Sequence, residues 1–258
     1  PLCRITINLA PAETIKEGTH FDLAIVVAIL KATKIVKENG KKTVYFGEVN
    51  LSGEVKWIRG ILPMVVEAIN DGFEEIFVPY ENYYELIFLN DSRIIPVKSI
   101  NELIDKIEDE NKSYEVIEKF DLLKDKINLD YKDIMGQNEL VEAFKIAAAG
   151  HHHMLIVGPP GAGKTMAATR LPTIMLDLRD DEILEINKIY SIFSTTGKKE
   201  WITNRPCRAP HNSSSTRAII GGGAKVLPGE VSLAHKGILF MDEFLEFRMD
   251  ALQALRTQ

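Results

Sequence analysis

The apolar positions change period several times along the chain, and each change marks an element. Residues 4-RITINL-9 alternate apolar and polar, the period of a half-buried strand. The stretch 16-KEGTHFDLAIVVAIL-30 passes from a polar turn at Gly18, Thr19 and His20 into an apolar run whose lone charge is Asp22. That run predicts a helix over 21–33, buried nearly all round. Short β-rich runs follow at 43-TVYFGEV-49 and 54-EVKWI-58, with Gly53 as the turn residue between them. Then 61-ILPMVVEAINDG-72 predicts a helix ending at Gly72, and 75-EIFVP-79 a strand stopped by Pro79. Ile100, Leu103, Ile104 and Ile107 recur at helical spacing, so 99–110 reads as an amphipathic helix with Ser99 as its N-cap. Residues 1–111 thus read as one α/β domain with a mixed sheet.

The pattern breaks at 108-EDENKSYEVIEKFDLLKDKINLD-130, where charge alternates densely and glycine and proline are absent. This reads as a solvated helix or linker, with a domain boundary over 112–130. The second domain, 131–258, opens at 131-YKDIMGQ-137. It continues with a helix that places Leu140, Val141, Phe144 and Ala148 on one face. Strand 154-MLIV-157, a glycine-rich loop and a helix from about 163 come next. That order begins a parallel α/β nucleotide-binding fold. No internal repeat or low-complexity tract is visible.

Composition narrows the class. The 258 residues fit one large domain or two ordinary ones. With 45% apolar and 26% charged residues the chain can bury a sizeable core. No run of about eighteen apolar residues predicts a membrane span. The net charge of −6 excludes a protein coated in basic surface, while local basic patches could still meet nucleic acid. Cys3 and Cys207 read as reduced, cytoplasmic thiols. The chain starts at Pro1 without a basic-then-apolar leader, and is expected to be a fragment whose natural start lies upstream.

The candidate chemistry sits in the second domain. The stretch 158-GPPGAGKT-165 fits G-x-x-x-x-G-K-[ST] at every position, between an apolar run and a predicted helix. Gly158, Gly161 and Gly163 let the backbone curl so that successive N–H groups face phosphate oxygens, and the following helix adds its positive dipole end. Lys164 would reach the β- and γ-phosphates, and the Thr165 hydroxyl would ligand Mg²⁺. The candidate ATP contacts are Gly158, Pro159, Pro160, Gly161, Ala162, Gly163, Lys164, Thr165 and Met166. A carboxylate is needed beside them. In 237-GILFMDE-243, Asp242 ends a run suited to a central parallel strand and can share the metal, and Glu243 is the natural general base for water.

Other polar features are less specific. The tract 151-HHH-153 would alternate faces at a strand entrance, and is read as polar lead-in rather than a metal site. Between the two motifs, 204-NRPCRAPHNSSSTRAIIGGGAKVLPGEVSLAHKG-237 carries Arg205, Arg208, His211, Arg217 and Lys225. It also carries the hydroxyl row Ser213 to Thr216, a glycine hinge or tight turn at 221–223, and a short helix expected at 229–235. Such a basic, hydroxyl-rich insertion suits a phosphate backbone. Equally, its arginines could pair with acids of this chain or of a neighbouring subunit.

GPPGAGKT taken with RPCRAPHNSSS, GGGAKVLPGEVSLAHKGILFMDEFLEF and LQALR resembles the magnesium-chelatase-like AAA+ proteins of the YifB/ComM type. Upstream, ITINLAPAETIKEGTHFDLAIVVAIL and FGEVNLSGEVKWIRGILPMVVEAINDGFEEIFVP resemble that family's first domain, which is similar to the Lon protease domain (ribosomal S5 domain 2-like) fold. The resemblance implies an α/β chain: a Lon-protease-like domain followed by a P-loop AAA+ parallel α/β domain, truncated C-terminally. It implies a bacterial ATPase using ATP and Mg²⁺, forming hexameric rings, with ComM-type members acting as DNA helicases in branch migration. It places Ile134, Gly136 and Gln137 near the nucleotide base and part of the insertion toward the ring pore. The polar sensor, arginine finger and lid of such a module are expected beyond Gln258. A partner-remodelling chelatase-like ATPase, or a nucleotide-binding module without full turnover, are the alternatives.

The same resemblance bears on the opening turn. A Lon-type protease sets its serine two positions after the glycine of a K-[DE]-G turn, and its lysine at the start of the next helix. Here these positions are His20 and Leu62, the latter between Ile61 and Pro63. Lys56 falls on the preceding strand. Thr19 offers a hydroxyl, yet Leu62 cannot act as its base. The first domain is therefore expected to be a protease-like scaffold without its dyad, with His20 capping or packing on the turn.

Overall fold

A computed structural model describes residues 4–9, 18–37, 40–108, 129–194, 201–223 and 226–256. The expected linker falls on 112–130, of which only the last two residues are described; Lys225 and Cys3 also lie outside. The chain divides into two compact units, one drawn from Pro1–Phe120 and the other from Asp121–Phe193 with Trp201–Gln258.

In the first unit, α1 (Asp22–Ala32) buries Leu23 and Val27, four residues apart. It is buried along one stripe rather than all round, because only that stripe meets the core of Val55, Phe77, Ile95 and Leu103. Gly47 cuts the run 43–49 into β1 (Thr43–Tyr45) and β2 (Glu48–Val49). A Cβ at Gly47 would stand 2.9 Å from a Val55 methyl. Its carbonyl accepts from Leu23 N–H at 3.0 Å, which ties the bend to the start of α1. β2 pairs antiparallel with β3 (Val55–Lys56), Glu48 opposite Lys56. Asn50 closes their turn by accepting from the N–H groups of Ser52 and Glu54 at 3.1 and 2.9 Å.

α2 (Ile61–Asn70) buries Ile61, Leu62, Val65, Val66 and Ala68. β4 (Glu75–Pro79), α3 (Tyr83–Leu86), β5 (Ile94–Val97) and α4 (Ile100–Glu108) follow. Ser99 caps α4 as expected, accepting from Glu102 N–H at 3.2 Å. The sheet runs β1-β4-β5 and is wholly parallel, Thr43 opposite Glu75 and Ile76 opposite Ile94. The expected mixed sheet is thus corrected: the antiparallel β2–β3 pair forms its own ladder. Helical crossovers join the parallel strands, and the last four residues of β4 and all of β5 are buried as such a sheet requires. Residues 4–9 form no strand, and Ile5, Ile7 and Leu9 are exposed. Their alternation has no partner ladder among the described residues.

One buried asparagine substitutes for a strand neighbour. Asn82 accepts from Ile58 N–H at 3.0 Å and donates to Ile58 C=O at 2.9 Å. The same Nδ2 donates to the Glu85 carboxylate at 3.1 Å, which also accepts from the Trp57 indole at 3.0 Å.

The second unit begins with a single-turn cap at Tyr131–Asp133, then α5 (Asn138–Gly150) and α6 (Lys164–Arg170). Tyr131, Phe144 and Ala167 form its first core, joined by Ile134, Leu140, Val141 and Ile156. The expected strand at 154–157 is not formed. Ile156 packs inward, while Leu155 and Val157 are 80% and 87% exposed. The segment keeps the alternation of a strand but has no pairing partner among the described residues.

α7 (Asp180–Phe193) carries Asn187, which accepts from Ile202 N–H at 3.1 Å and donates to Ile202 C=O at 3.0 Å. β6 (Cys207–Arg208), α8 (Thr216–Ile220), β7 (Gly221–Gly222), β8 (Leu227–Pro228), α9 (Glu230–Leu233), β9 (Ile238–Leu239) and α10 (Met249–Leu255) complete the unit. β9 lies parallel to β6, with Phe240 N–H extending the ladder to Arg208 C=O at 2.8 Å. The run before Asp242 is therefore parallel as expected, though shorter. All three glycines of 221–223 sit at positive φ, Gly221 and Gly222 within β7, which pairs antiparallel with β8. Ile219, Phe247 and Ala251 form a second core that seats α8 against α10. No helix among the described residues is long and apolar enough to cross a membrane.

Candidate functional site

The loop 158–163 owes its shape to two glycines. Gly161 and Gly163 sit at φ +77° and +78°, where a side chain is strained, and Gly163 leads directly into α6. Gly158 is not at positive φ. The Lys164 ammonium donates to the carbonyls of Gly158 and Pro159 at 2.6 and 3.0 Å. It thus lies over the loop it is expected to serve. Thr165, one residue into α6, donates its hydroxyl to the Asp242 carboxylate at 3.0 Å across 77 residues of sequence. Asp242 in turn accepts from Glu243 N–H at 3.0 Å through its other oxygen. Thr165 and Asp242 therefore present two hard oxygen ligands side by side, the donor type that Mg²⁺ takes.

Glu243 adopts φ +53°, a left-handed conformation uncommon for a residue with a side chain. It heads the short turn Phe244–Glu246. Its carboxylate accepts from Asn212 Nδ2 at 3.1 Å, and the same nitrogen donates to Glu246 at 3.0 Å. Asn212 belongs to the insertion and was not singled out by the sequence. It stands in a polar row, and only the fold reveals its partners.

The turn before α5 is fastened to α6. Tyr131 donates its phenol to Ala167 C=O at 3.2 Å, and burial pushes that phenol's pKa up. Asp133 accepts from Arg170 at 3.4 Å. Ile134 packs into the Tyr131–Phe144 core, Gly136 takes φ +73°, and Gln137 is the N-cap residue of α5. Met166, in α6, is exposed.

The basic residues of the insertion divide. Arg205 is 9% exposed; it donates to the carbonyls of Leu176 and Lys236 at 2.6 Å each and lies 3.5 Å from Glu182. Arg208 makes a two-pronged pair with Glu230 at 2.6 and 2.8 Å. For these two, pairing within the chain is observed. His211 is exposed and bonded to the Ser213 hydroxyl at 2.8 Å. Arg217 is exposed, with no ion pair among the described residues. The hydroxyl row is also used locally. Ser215 caps α8, and Thr216 donates to Asp250 at 2.9 Å.

In the first unit, Thr19 donates its hydroxyl to Glu48 at 2.5 Å, and Leu62 is 1% exposed. Lys56 pairs with Glu54 at 2.9 Å. The Nδ1 atom of His20 is buried without a partner among the described residues. Burial, reinforced by Arg59 and opposed by Asp22 and Glu48, holds the imidazole pKa below its ordinary value.

Comparison with known families agrees with these motifs. Residues 130–258 match the family model for magnesium chelatase, subunit ChlI, and residues 1–82 match a second model for subunit ChlI of Mg-chelatase. An uncharacterized protein of Mycobacterium tuberculosis is 38% identical over 260 residues, covering 100% of this chain and 52% of that protein. The uncharacterized protein YifB of Escherichia coli is 38% identical over 259 residues, covering 99% of this chain and 50% of its own. The competence protein ComM of Haemophilus influenzae is 35% identical over 261 residues, covering 99% and 51%. The chain spans about half the length of the curated relatives it matches. By these matches it belongs to the magnesium-chelatase-like family, of the YifB/ComM type.

Proposed function

We propose that this chain is the nucleotide-handling portion of an AAA+ ATPase that works on DNA as a ring, as a branch-migration helicase of the ComM type. The observation that carries the reading is the Thr165–Asp242 contact at 3.0 Å, which brings the glycine-rich loop and the Asp-Glu motif together. Backbone N–H groups of 158–163 would cradle phosphate, with Lys164 swinging from its two carbonyls to the β- and γ-oxygens. Thr165 and Asp242 would hold Mg²⁺, which when bound neutralises developing phosphate charge. Glu243 takes the proton of the attacking water. Ile134, Gly136 and Gln137 border the base, on a turn locked to α6 by Tyr131. For DNA, the reading uses Arg217 and His211, which are exposed, and Lys225, rather than Arg205 and Arg208.

The test is ATP turnover by the complete protein with and without forked DNA, beside titration of a fluorescent ATP analogue. Lys164→Ala is expected to lose nucleotide affinity. Glu243→Gln is expected to keep it while turnover falls at least about 100-fold, the contribution of a positioned base. Equal affinity in Lys164→Ala would sink the ATP site. Turnover indifferent to DNA would sink the helicase reading, and favour remodelling of a protein partner instead.

A further inference from the structure

We propose that the first unit pairs with a second copy of itself, each copy seating the loop after α1 in a groove beside β1 of the other. This goes beyond the ATPase reading and does not depend on it. The groove has a volume of about 410 Å³ and lies at the rim of the sheet, where β1 is the outer strand. Val44 and Phe46, two residues apart and so on one face, line it together with Met64 of α2 and Phe73. Glu67 and Asp71, one helical turn apart, add two carboxylates to this apolar lining. Both residues are exposed, and neither has an ion pair among the described residues. Such a groove fits an apolar knob flanked by cations.

The loop after α1 is a knob of that kind. The chain leaves α1 through Lys34 at φ +59°, and 34-KIVK-37 then puts Val36 in the core while Ile35 stands 55% exposed. Lys34 and Lys37 flank that isoleucine; both are exposed, with no ion pair among the described residues. Ile35 N–H donates to Leu30 C=O at 2.9 Å, and buried Val36 pegs the loop, so little ordering is left for the moment of contact.

Knob and groove open at the same end of the unit. Lys42, five residues after Lys37, donates to Asp71 C=O at 2.5 Å, and its ammonium lies 4.5 Å from the centre of the Phe73 ring. Five residues of chain span at most about 18 Å. Lys34 and Lys37 thus stand near the groove of their own copy without pairing to its acids. A patch beside its own complement fits a two-fold pair, in which each loop enters the other groove and every contact is made twice.

The test uses full-length protein carrying both Ile35→Cys and Met64→Cys, mildly oxidised in dilute solution and resolved on a denaturing gel. Each single variant serves as background, since native Cys3 and Cys207 remain. A covalent dimer with no larger species is expected, because a closed pair spends both contacts on one partner. A ladder of trimers and longer products would overturn the two-fold pair, and no product beyond the single variants would overturn the proposal altogether. In the same background, Glu67→Lys with Asp71→Lys, or Lys34→Glu with Lys37→Glu, makes both contacts repulsive. Either is expected to lower the dimer yield at least about ten-fold. An equal mixture of the two charge-reversed proteins restores opposite charges at both contacts and is expected to recover the yield, which a chain that merely fails to fold does not. A yield untouched by charge reversal, or lost without recovery in the mixture, would overturn the proposal and leave the ATPase reading intact.

Discussion

Arg205 decides how the insertion should be understood, and its replacement by alanine is the sharpest test. The guanidinium is nearly buried, donates to the carbonyls of Leu176 and Lys236 at 2.6 Å each, and lies 3.5 Å from the largely buried Glu182 carboxylate. A hydrogen bond from a charged group is worth about 1.5–3 kcal/mol net, and Arg205 makes two of them. These overlap, and the 3.5 Å contact adds little, so Arg205→Ala is expected to cost about 3–5 kcal/mol. In a unit of this size that is a fall in melting midpoint on the order of 10–20 °C. Arg205→Lys keeps the charge but cannot reach both carbonyls in the planar fork, and is expected to lose roughly half as much. The assay is thermal unfolding followed by circular dichroism, beside DNA binding at several salt concentrations. A midpoint unmoved in Arg205→Ala, together with a reduced salt slope of DNA binding, would refute the reasoning and return Arg205 to the DNA face.

Two further expectations concern the first unit. His20 is held neutral more readily in the fold than in the unfolded chain, so the unfolded state binds more protons below its ordinary pKa of 6.5. Stability then rises with pH: the contribution is complete above 6.5 and fades as pH falls toward the lowered folded value. Denaturation midpoints of wild type should drop across that window and those of His20→Gln should stay flatter; parallel curves would refute it. Asn82→Ala leaves both the N–H and the C=O of Ile58 buried and unpaired, a cost of about 2–4 kcal/mol in urea unfolding. Asn82→Asp keeps the acceptor but sets a second carboxylate beside Glu85, and is expected to be no milder. A loss below about 1 kcal/mol in either variant would mean that water replaces the amide.

Much of the fold was legible because its sequence signals are local. α2 and α4 declare themselves by apolar spacing, by Gly72 after one and Ser99 before the other. The glycine-rich loop is read from a fixed pattern whose positive-φ residues, Gly161 and Gly163, are those the geometry uses. β5 was not anticipated, since Pro96 within 94-IIPV-97 looks like a breaker. It survives because β5 is the last strand of its sheet, where a missing N–H need not break a ladder. The runs 4–9 and 154–157 fail for the opposite reason: an alternating or an apolar run predicts a strand but says nothing of a neighbour. The charged insertion was the least legible. Whether Arg208 faces phosphate or Glu230 depends on a residue 22 positions away. The Glu243 partner of Asn212 lies 31 positions away.

The Thr165–Asp242 contact closes a span of 77 residues. The chain entropy lost in closing a loop of that length is about 4 kcal/mol, from the logarithmic dependence on length. A single hydrogen bond returns about 1 kcal/mol net. The contact therefore cannot hold itself together. It is maintained by packing elsewhere in the span: the β6–β9 ladder, the Asn187–Ile202 clamp, and the Ile219–Phe247–Ala251 core. Loosening any of these separates threonine from aspartate while the local curl of the glycine-rich loop stays intact. The pair is thus a gauge of the whole unit's integrity, lost before the motif that a sequence search would recognise.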